Sequence, residues 1–254
     1  MILFLNRNNG GGMDFIQELK QKVRKNPKTV ILAEGTEPRM HKAAEALVKE
    51  KLVKEVFLTG RDSEVLAVAK KEGIDLSGIS IIDPEKFSGL DRFAAEYYNL
   101  RKHKGVSEQD AREAVKKDLI FSALHVRLGL SDGMVAGAVS TTADVSRTAV
   151  TVVQPRPGIK YISSFFIMVT PREEYGEKGV FIYSDCGLIP EPSAEQLKDI
   201  AIASARNARL LCGMEPRVAL LSFSTKGSAK HPSIDKVIKA RELLDQGQVD
   251  FIYD

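Results

Sequence analysis

Thr29-Val30-Ile31-Leu32-Ala33 is an apolar, partly β-branched run, and a second such run, Val56-Phe57-Leu58, follows it. Between them Ala43, Ala44, Ala46 and Leu47 recur at helical spacing. Strand-sized runs alternating with amphipathic helices predict βαβ units and a mostly parallel sheet. On either side of this stretch a helix is expected over residues 15–25 and another over 64–71, with a strand at 79–82. A long helix is expected over residues 108–128, capped by Ser107, with Asp110 three residues on as a weaker capping box. It leads to a short strand, Gly133-Met134-Val135-Ala136-Gly137-Ala138, and then to the loop Ser140-Thr141-Thr142-Ala143-Asp144 before another helix.

Past residue 150 the pattern changes. Gln154-Pro155-Arg156-Pro157-Gly158 is a turn-rich connector. Strands follow at 161–169 and 180–183, then a helix from Ser193 with Gln196 completing a capping box. A strand at 217–223, a helix at 233–244 and a strand at 249–253 close the chain. The expected class is α/β, mostly parallel sheets with flanking helices, in two lobes with a cleft between them. The lobes are placed at 13–150 and 151–254. Residues 1–12, ahead of Met13, read as an extension. A parallel strand needs neighbours and covering helices, so the second lobe reads as incomplete at its C-terminal end.

Composition excludes several classes. With 43% apolar and 28% charged residues, the chain can bury an ordinary core. A net charge of +3, without a basic stripe, argues against nucleic-acid binding. The longest apolar runs are far too short to span a bilayer, and no basic segment and cleavage site mark a signal peptide. Cys186 and Cys212 stand far apart with no metal-ligand spacing, which fits a reduced, cytoplasmic setting. No metal site is expected. The four histidines lack ligand spacing, and His125 reads as packed in an apolar helix. No dinucleotide fingerprint or nucleophile elbow is present. Cys186 reads as a small packed thiol in preference to a nucleophile.

Three constellations could carry chemistry. The first is Ser222-Phe223-Ser224-Thr225-Lys226-Gly227-Ser228-Ala229-Lys230, a strand end running through hydroxyls, lysines and glycine toward a helix. Ligands of open α/β sheets sit at such strand ends, and helix N-termini attract anions. The stretch reads as an anion cradle or as a polar capping loop, and its spacing is not that of a P-loop. The second is the loop after Gly137, where Thr141, Thr142 and Asp144 precede Arg147. Arginine suits bidentate phosphate binding, whereas Thr142 or Asp144 as a mere cap and Arg147 as a surface charge is the plainer reading. The third is Leu100-Arg101-Lys102-His103-Lys104-Gly105, basic residues that complement a helix C-terminus or recognise an anionic group.

Together these motifs resemble the phosphate acetyltransferases. The likeness rests on Leu100 to Gly105, on Asp132-Gly133-Met134-Val135-Ala136-Gly137-Ala138 with Thr141-Thr142-Ala143-Asp144, on Ser163-Ser164-Phe165-Phe166, on Asp185-Cys186-Gly187 and above all on Ser222 to Lys230. The resemblance implies acetyl transfer between coenzyme A and inorganic phosphate, with coenzyme A or acetyl-CoA as substrate and no permanently bound cofactor. It implies a homodimer with small-molecule partners only. It casts Arg147 and Ser224 as catalytic, and Arg101, Thr141, Thr142, Asp144, Thr225, Lys226, Gly227 and Ser228 as substrate-binding. Thr148 departs from the proline frequent after this arginine. The family's general base is expected in a segment beyond Asp254. The likeness also admits a phosphate butyryltransferase-like enzyme or a non-catalytic acyl-CoA sensing domain.

Overall fold

The computed structural model describes residues 11–155, 157, 159–225 and 227–254. Contacts group Lys20–Gln154 into one unit, and Pro155–Asp254, together with the start of the first helix, into another.

The first unit follows the opening motif. After α1 (Gly11–Lys25) come β1 (Lys28–Leu32), α2 (Pro38–Lys49), β2 (Val53–Thr59), α3 (Asp62–Glu72) and β3 (Ser80–Ile82). Then follow α4 (Leu90–Arg101), α5 (Glu108–Ala114), α6 (Asp118–Arg127), β4 (Gly133–Val135) and α7 (Thr142–Thr148). The four strands run parallel in the order β3-β2-β1-β4. Side chains alternate faces along β1, so Ile31 and Leu32 enter opposite layers. Leu32 joins Met40, Ala44, Val56, Leu58 and Val65 beneath α2 and α3. Ile31 joins Phe93, Phe121, Leu124 and Val152 on the other face. Gly35 marks a close approach just past β1. A Cβ there would lie 2.6 Å from the Thr59 carbonyl oxygen, to which the Gly35 N–H donates.

The expected helix over 108–128 is two helices, broken at Val115 to Lys117. The capping box at Ser107 and Asp110 forms in full. The two helices differ in what they bury. α5 buries Ala111 alone, with Val115 just past its end, whereas α6 buries a continuous run from Phe121 to His125. His125 is packed, as expected, among Phe57, Phe87, Phe93 and Phe121.

The second unit holds β5 (Phe165–Val169), β6 (Val180–Ser184), α8 (Ala194–Asn207), β7 (Arg217–Val218), α9 (Pro232–Gln246) and β8 (Ile252–Tyr253). β7 and β8 are parallel, but β5 and β6 form an antiparallel hairpin, a departure from the parallel expectation. The connection over residues 170–179 contains no helix, and a parallel crossover needs about a dozen residues or more. The strands are also shorter than expected at 161–169, 217–223 and 249–253. Arg156 and Gly158 of the connector, and residues 1–10 of the expected extension, lie outside the described residues; residues 11–12 belong to α1.

Ser193 caps α8, its hydroxyl accepting from the Gln196 N–H while the Gln196 side chain accepts from the Ser193 N–H. Ser193→Ala should lower unfolding free energy by about 1 kcal/mol in urea titration, and Ser193→Asp should recover most of it. Equal midpoints for Ala and wild type would count against this cap.

Candidate functional site

A pocket of about 410 Å³ opens in the first unit. α4 contributes Tyr97 and Arg101, the turn before α6 contributes Lys117, and α6 contributes Leu119 and Ile120. Ser140 lines it from the loop after β4, with Asp144 and Arg147 from α7. Arg101 and Arg147, from two separate motifs, thus share one cavity with a third cation, Lys117. One carboxylate, Asp144, faces them.

Each cation has a local reason for its place. Arg101 ends α4, where a tight turn over Lys102–Lys104 and left-handed Gly105 follow. Its Nε is buried without a hydrogen-bond partner, an unsatisfied donor that an anion would answer. Lys117 sits at the break between α5 and α6, at the N-cap of α6. No motif singled it out, because only the break brings it to the pocket. Arg147 lies in the last turn of α7 and is bound to Asp144 at 2.9 Å (Nη1 to Oδ1).

The loop before α7 departs from the sequence reading. Thr141 is the N-cap: its hydroxyl oxygen accepts from the Asp144 N–H at 3.1 Å and donates to Asp144 Oδ2 at 2.7 Å. Thr142 is the first helical residue and is exposed. The backbone N–H groups of Gly137, Ala138 and Ser140 do not await a ligand, since all three donate to the Glu34 carboxylate. Burial pushes the Glu34 carboxyl upward, but hydrogen bonding from the Ser140 side chain and from the Ser140, Ala138 and Val139 backbone outweighs it and holds the group below the ordinary glutamate value. The anion-binding capacity of this site therefore lies in side chains.

In the second unit, the hydroxyls of the Ser222 to Ser228 loop close on one another. Ser224 Oγ lies 2.6 Å from Ser228 Oγ, and Thr225 Oγ1 donates to the same oxygen at 3.0 Å. Gly227 has φ +79°, a left-handed conformation that glycine takes without strain. Lys226 lies outside the described residues. His231 caps α9 by accepting the Ser233 N–H at 3.2 Å, a role the sequence reading missed. Nearby in sequence order, Asp185 joins two motifs. Its carboxylate accepts from the Ser164 N–H and hydroxyl and from the N–H groups of Gly187 and Leu188. Cys186 between them is half-buried. Among the described residues no cluster of His, Cys, Asp or Glu is arranged to hold a metal.

A parallel sheet flanked by helices, with a pocket lined by three cations next to the loop after β4, defines an α/β protein. The chain belongs to the phosphate acetyl/butaryl transferase family, whose description matches residues 14–254. It is similar to the phosphate acetyltransferase of Thermoanaerobacterium thermosaccharolyticum, 46% identical over 91% of this chain and 70% of the relative. The Clostridium acetobutylicum phosphate acetyltransferase is 39% identical over 95% of this chain and 72% of its own length. Among solved structures, a Streptococcus pyogenes phosphotransacetylase aligns with TM-score 0.86 at 30% identity, covering 95% of this chain and 71% of that one. A branched-chain phosphotransacylase from Enterococcus faecalis, 14% identical with TM-score 0.53 over 89% of this chain and 66% of its own, shares the fold.

Proposed function

We propose that this chain transfers an acetyl group between coenzyme A and inorganic phosphate. The carrying observation is that Arg101 and Arg147, 46 positions apart in sequence, line one pocket together with Lys117. Three cations against one carboxylate suit a ligand with several phosphate charges, and the Tyr97 ring offers a surface beside them. Coenzyme A has this chemistry at its nucleotide end, and the named relatives act as acetyltransferases. The acetyl reading is favoured over butyryl because relatives 36–46% identical are named phosphate acetyltransferase.

The reaction needs little beyond positioning and charge. In the direction of acetyl phosphate use, the coenzyme A thiol loses its proton and the sulfur attacks the acetyl carbonyl. The tetrahedral oxyanion collapses, the C–O bond to phosphate breaks, and thioester and phosphate result. A thiol has a pKa near 8.5, so a base assists. In this reading Arg147 neutralises phosphate charge, Ser224 donates to the oxyanion, and Arg101, Thr141, Thr142 and Asp144 bind substrate alongside Thr225, Lys226, Gly227 and Ser228. The likeness to the family also supports a cytoplasmic homodimer with the connector at 154–158 separating two lobes. No described helix is long and apolar enough to cross a membrane.

Mixing purified protein with acetyl phosphate and coenzyme A should generate thioester and release phosphate in equal amounts. Tight coenzyme A binding without thioester formation would replace the enzyme with a sensing module; no binding at all would end both readings.

A further inference from the structure

β1 and β4 are neighbours in the sheet, yet the chain leaves them toward opposite faces. α2 follows β1 and covers the Leu32 layer, while the turn after α7 puts Val152 in the Ile31 layer. Such a reversal of strand order opens a crevice beyond the strand ends, where ligands of open α/β sheets bind. Here the ladder ends with the Ala33 N–H donating to the Val135 carbonyl at 3.0 Å. One residue on, Glu34 spans the crevice with its side chain. Its Oε2 accepts from Gly137 N–H at 3.1 Å and Ala138 N–H at 2.8 Å, and its Oε1 from Ser140 N–H at 2.6 Å. Arg39 grips the same loop from its other polarity, donating through Nη2 to the Ala138 carbonyl at 2.6 Å.

Two observations show what Glu34 contributes here. It is 7% exposed, so its charge is answered almost entirely by these loop donors. Its φ is +68°, in the region that non-glycine residues rarely adopt. Glycine would satisfy that backbone without strain; it could not supply the carboxylate. The fixed loop then passes directly to the pocket, since Ser140 lines it and Thr141 caps α7, which carries Asp144 and Arg147.

We propose that Glu34 is a positioning residue for the pocket: by holding the amides of residues 137, 138 and 140 it sets the start of α7 and hence the place of Arg147 opposite Arg101. The choice of coenzyme A as probe rests on the function proposed above; the clamp itself does not.

Two readouts test it on the full chain. In Glu34→Gln a side-chain NH₂ faces at least one of the three N–H donors, and the oxygen that remains has no charge with which to hold the others. Hydrogen exchange at Gly137, Ala138 and Ser140 should then accelerate at least tenfold, with β2 amides unchanged. The dissociation constant for coenzyme A, by titration calorimetry, should rise about tenfold, and this loss should vanish in an Arg147→Ala background, because coupled residues are non-additive. A merely structural role would lower the folded fraction without that coupling. Glu34→Gly, which relieves the left-handed backbone, should give the same pattern and serves if the Gln variant does not fold. Unchanged exchange at the three amides overturns the proposal, as does an equal affinity loss with and without Arg147. If unaltered protein binds no coenzyme A, the functional reading falls, and the exchange rates still decide the clamp.

Discussion

Arg147→Ala should lower kcat/KM for acetyl transfer between coenzyme A and phosphate at least tenfold. A hydrogen bond to a charged group is worth about 1.5–3 kcal/mol, and each 1.4 kcal/mol is a factor of ten in rate. The loss should not come from unfolding. Arg147 is exposed, and its ion pair with Asp144 is exposed on both sides, so removing it should move stability by less than about 1 kcal/mol. Arg147→Lys should recover only part of the rate, because lysine lacks the planar fork. Unaltered kinetics in an active preparation of Arg147→Ala would remove this residue from the site.

A second large effect concerns pH. His125 is buried among aromatic rings, with Ser131 Oγ 2.9 Å from its Nδ1, and burial pushes its pKa down to about 4. Asp118, at the start of α6, is pushed up to about 6 by burial first, then by Glu64, Asp83 and Glu34, against a weaker pull from Arg61. The two act in opposite directions. The folded state resists protonating His125, so that contribution is complete above the unfolded value of 6.5 and is lost as pH falls toward 4. The folded state favours protonated Asp118, so its penalty is present above pH 6 and is relieved as pH falls toward the unfolded value of 3.8. Each is on the order of 3 kcal/mol, and their windows overlap between about pH 4 and 6. Their combined contribution should therefore be nearly flat there. Asp118→Asn should unmask the histidine: stability at pH 7 should rise, less about 0.3–1 kcal/mol for the lost first-turn charge, and should then fall by about 3 kcal/mol on acidification to pH 4. Urea titrations at pH 7, 5.5 and 4.5 read this directly. A variant profile parallel to wild type would show that these two groups do not set the acid response.

The first unit was legible because its signals are local. Thr29 to Ala33 and Val56 to Leu58 are strand-forming runs in themselves, and the Ser107 and Ser193 boxes need only four residues each. The break at Val115 to Lys117 was not legible. It contains neither glycine nor proline, and the two helices differ in burial: α6 buries Phe121 to His125 continuously, α5 Ala111 alone. The hairpin of β5 and β6 could have been read from the short helix-free span between them. For the candidate site, the motifs single out Arg101, Asp144 and Arg147, and these line one pocket. Lys117 was missed because it reaches that pocket only through the break. Glu34 was missed because its partners lie more than a hundred residues away, and no spacing rule connects them. The loop after β4 suggests only an arginine site or a helix cap, and nothing local shows that its amides are bound to Glu34.

The Asp144–Arg147 pair has a kinetic and entropic side. A free arginine on a surface samples many rotamers, and ordering it costs a ligand roughly 0.5–1.5 kcal/mol. Here the guanidinium is already held over the pocket by a carboxylate in its own helix, itself fixed by the Thr141 hydroxyl. The pair is exposed, so trading the carboxylate for a phosphate forfeits little. Under the proposed function, most of the ordering is done before a phosphate arrives, and the exchange of one anionic partner for another becomes a small step that runs readily in both directions.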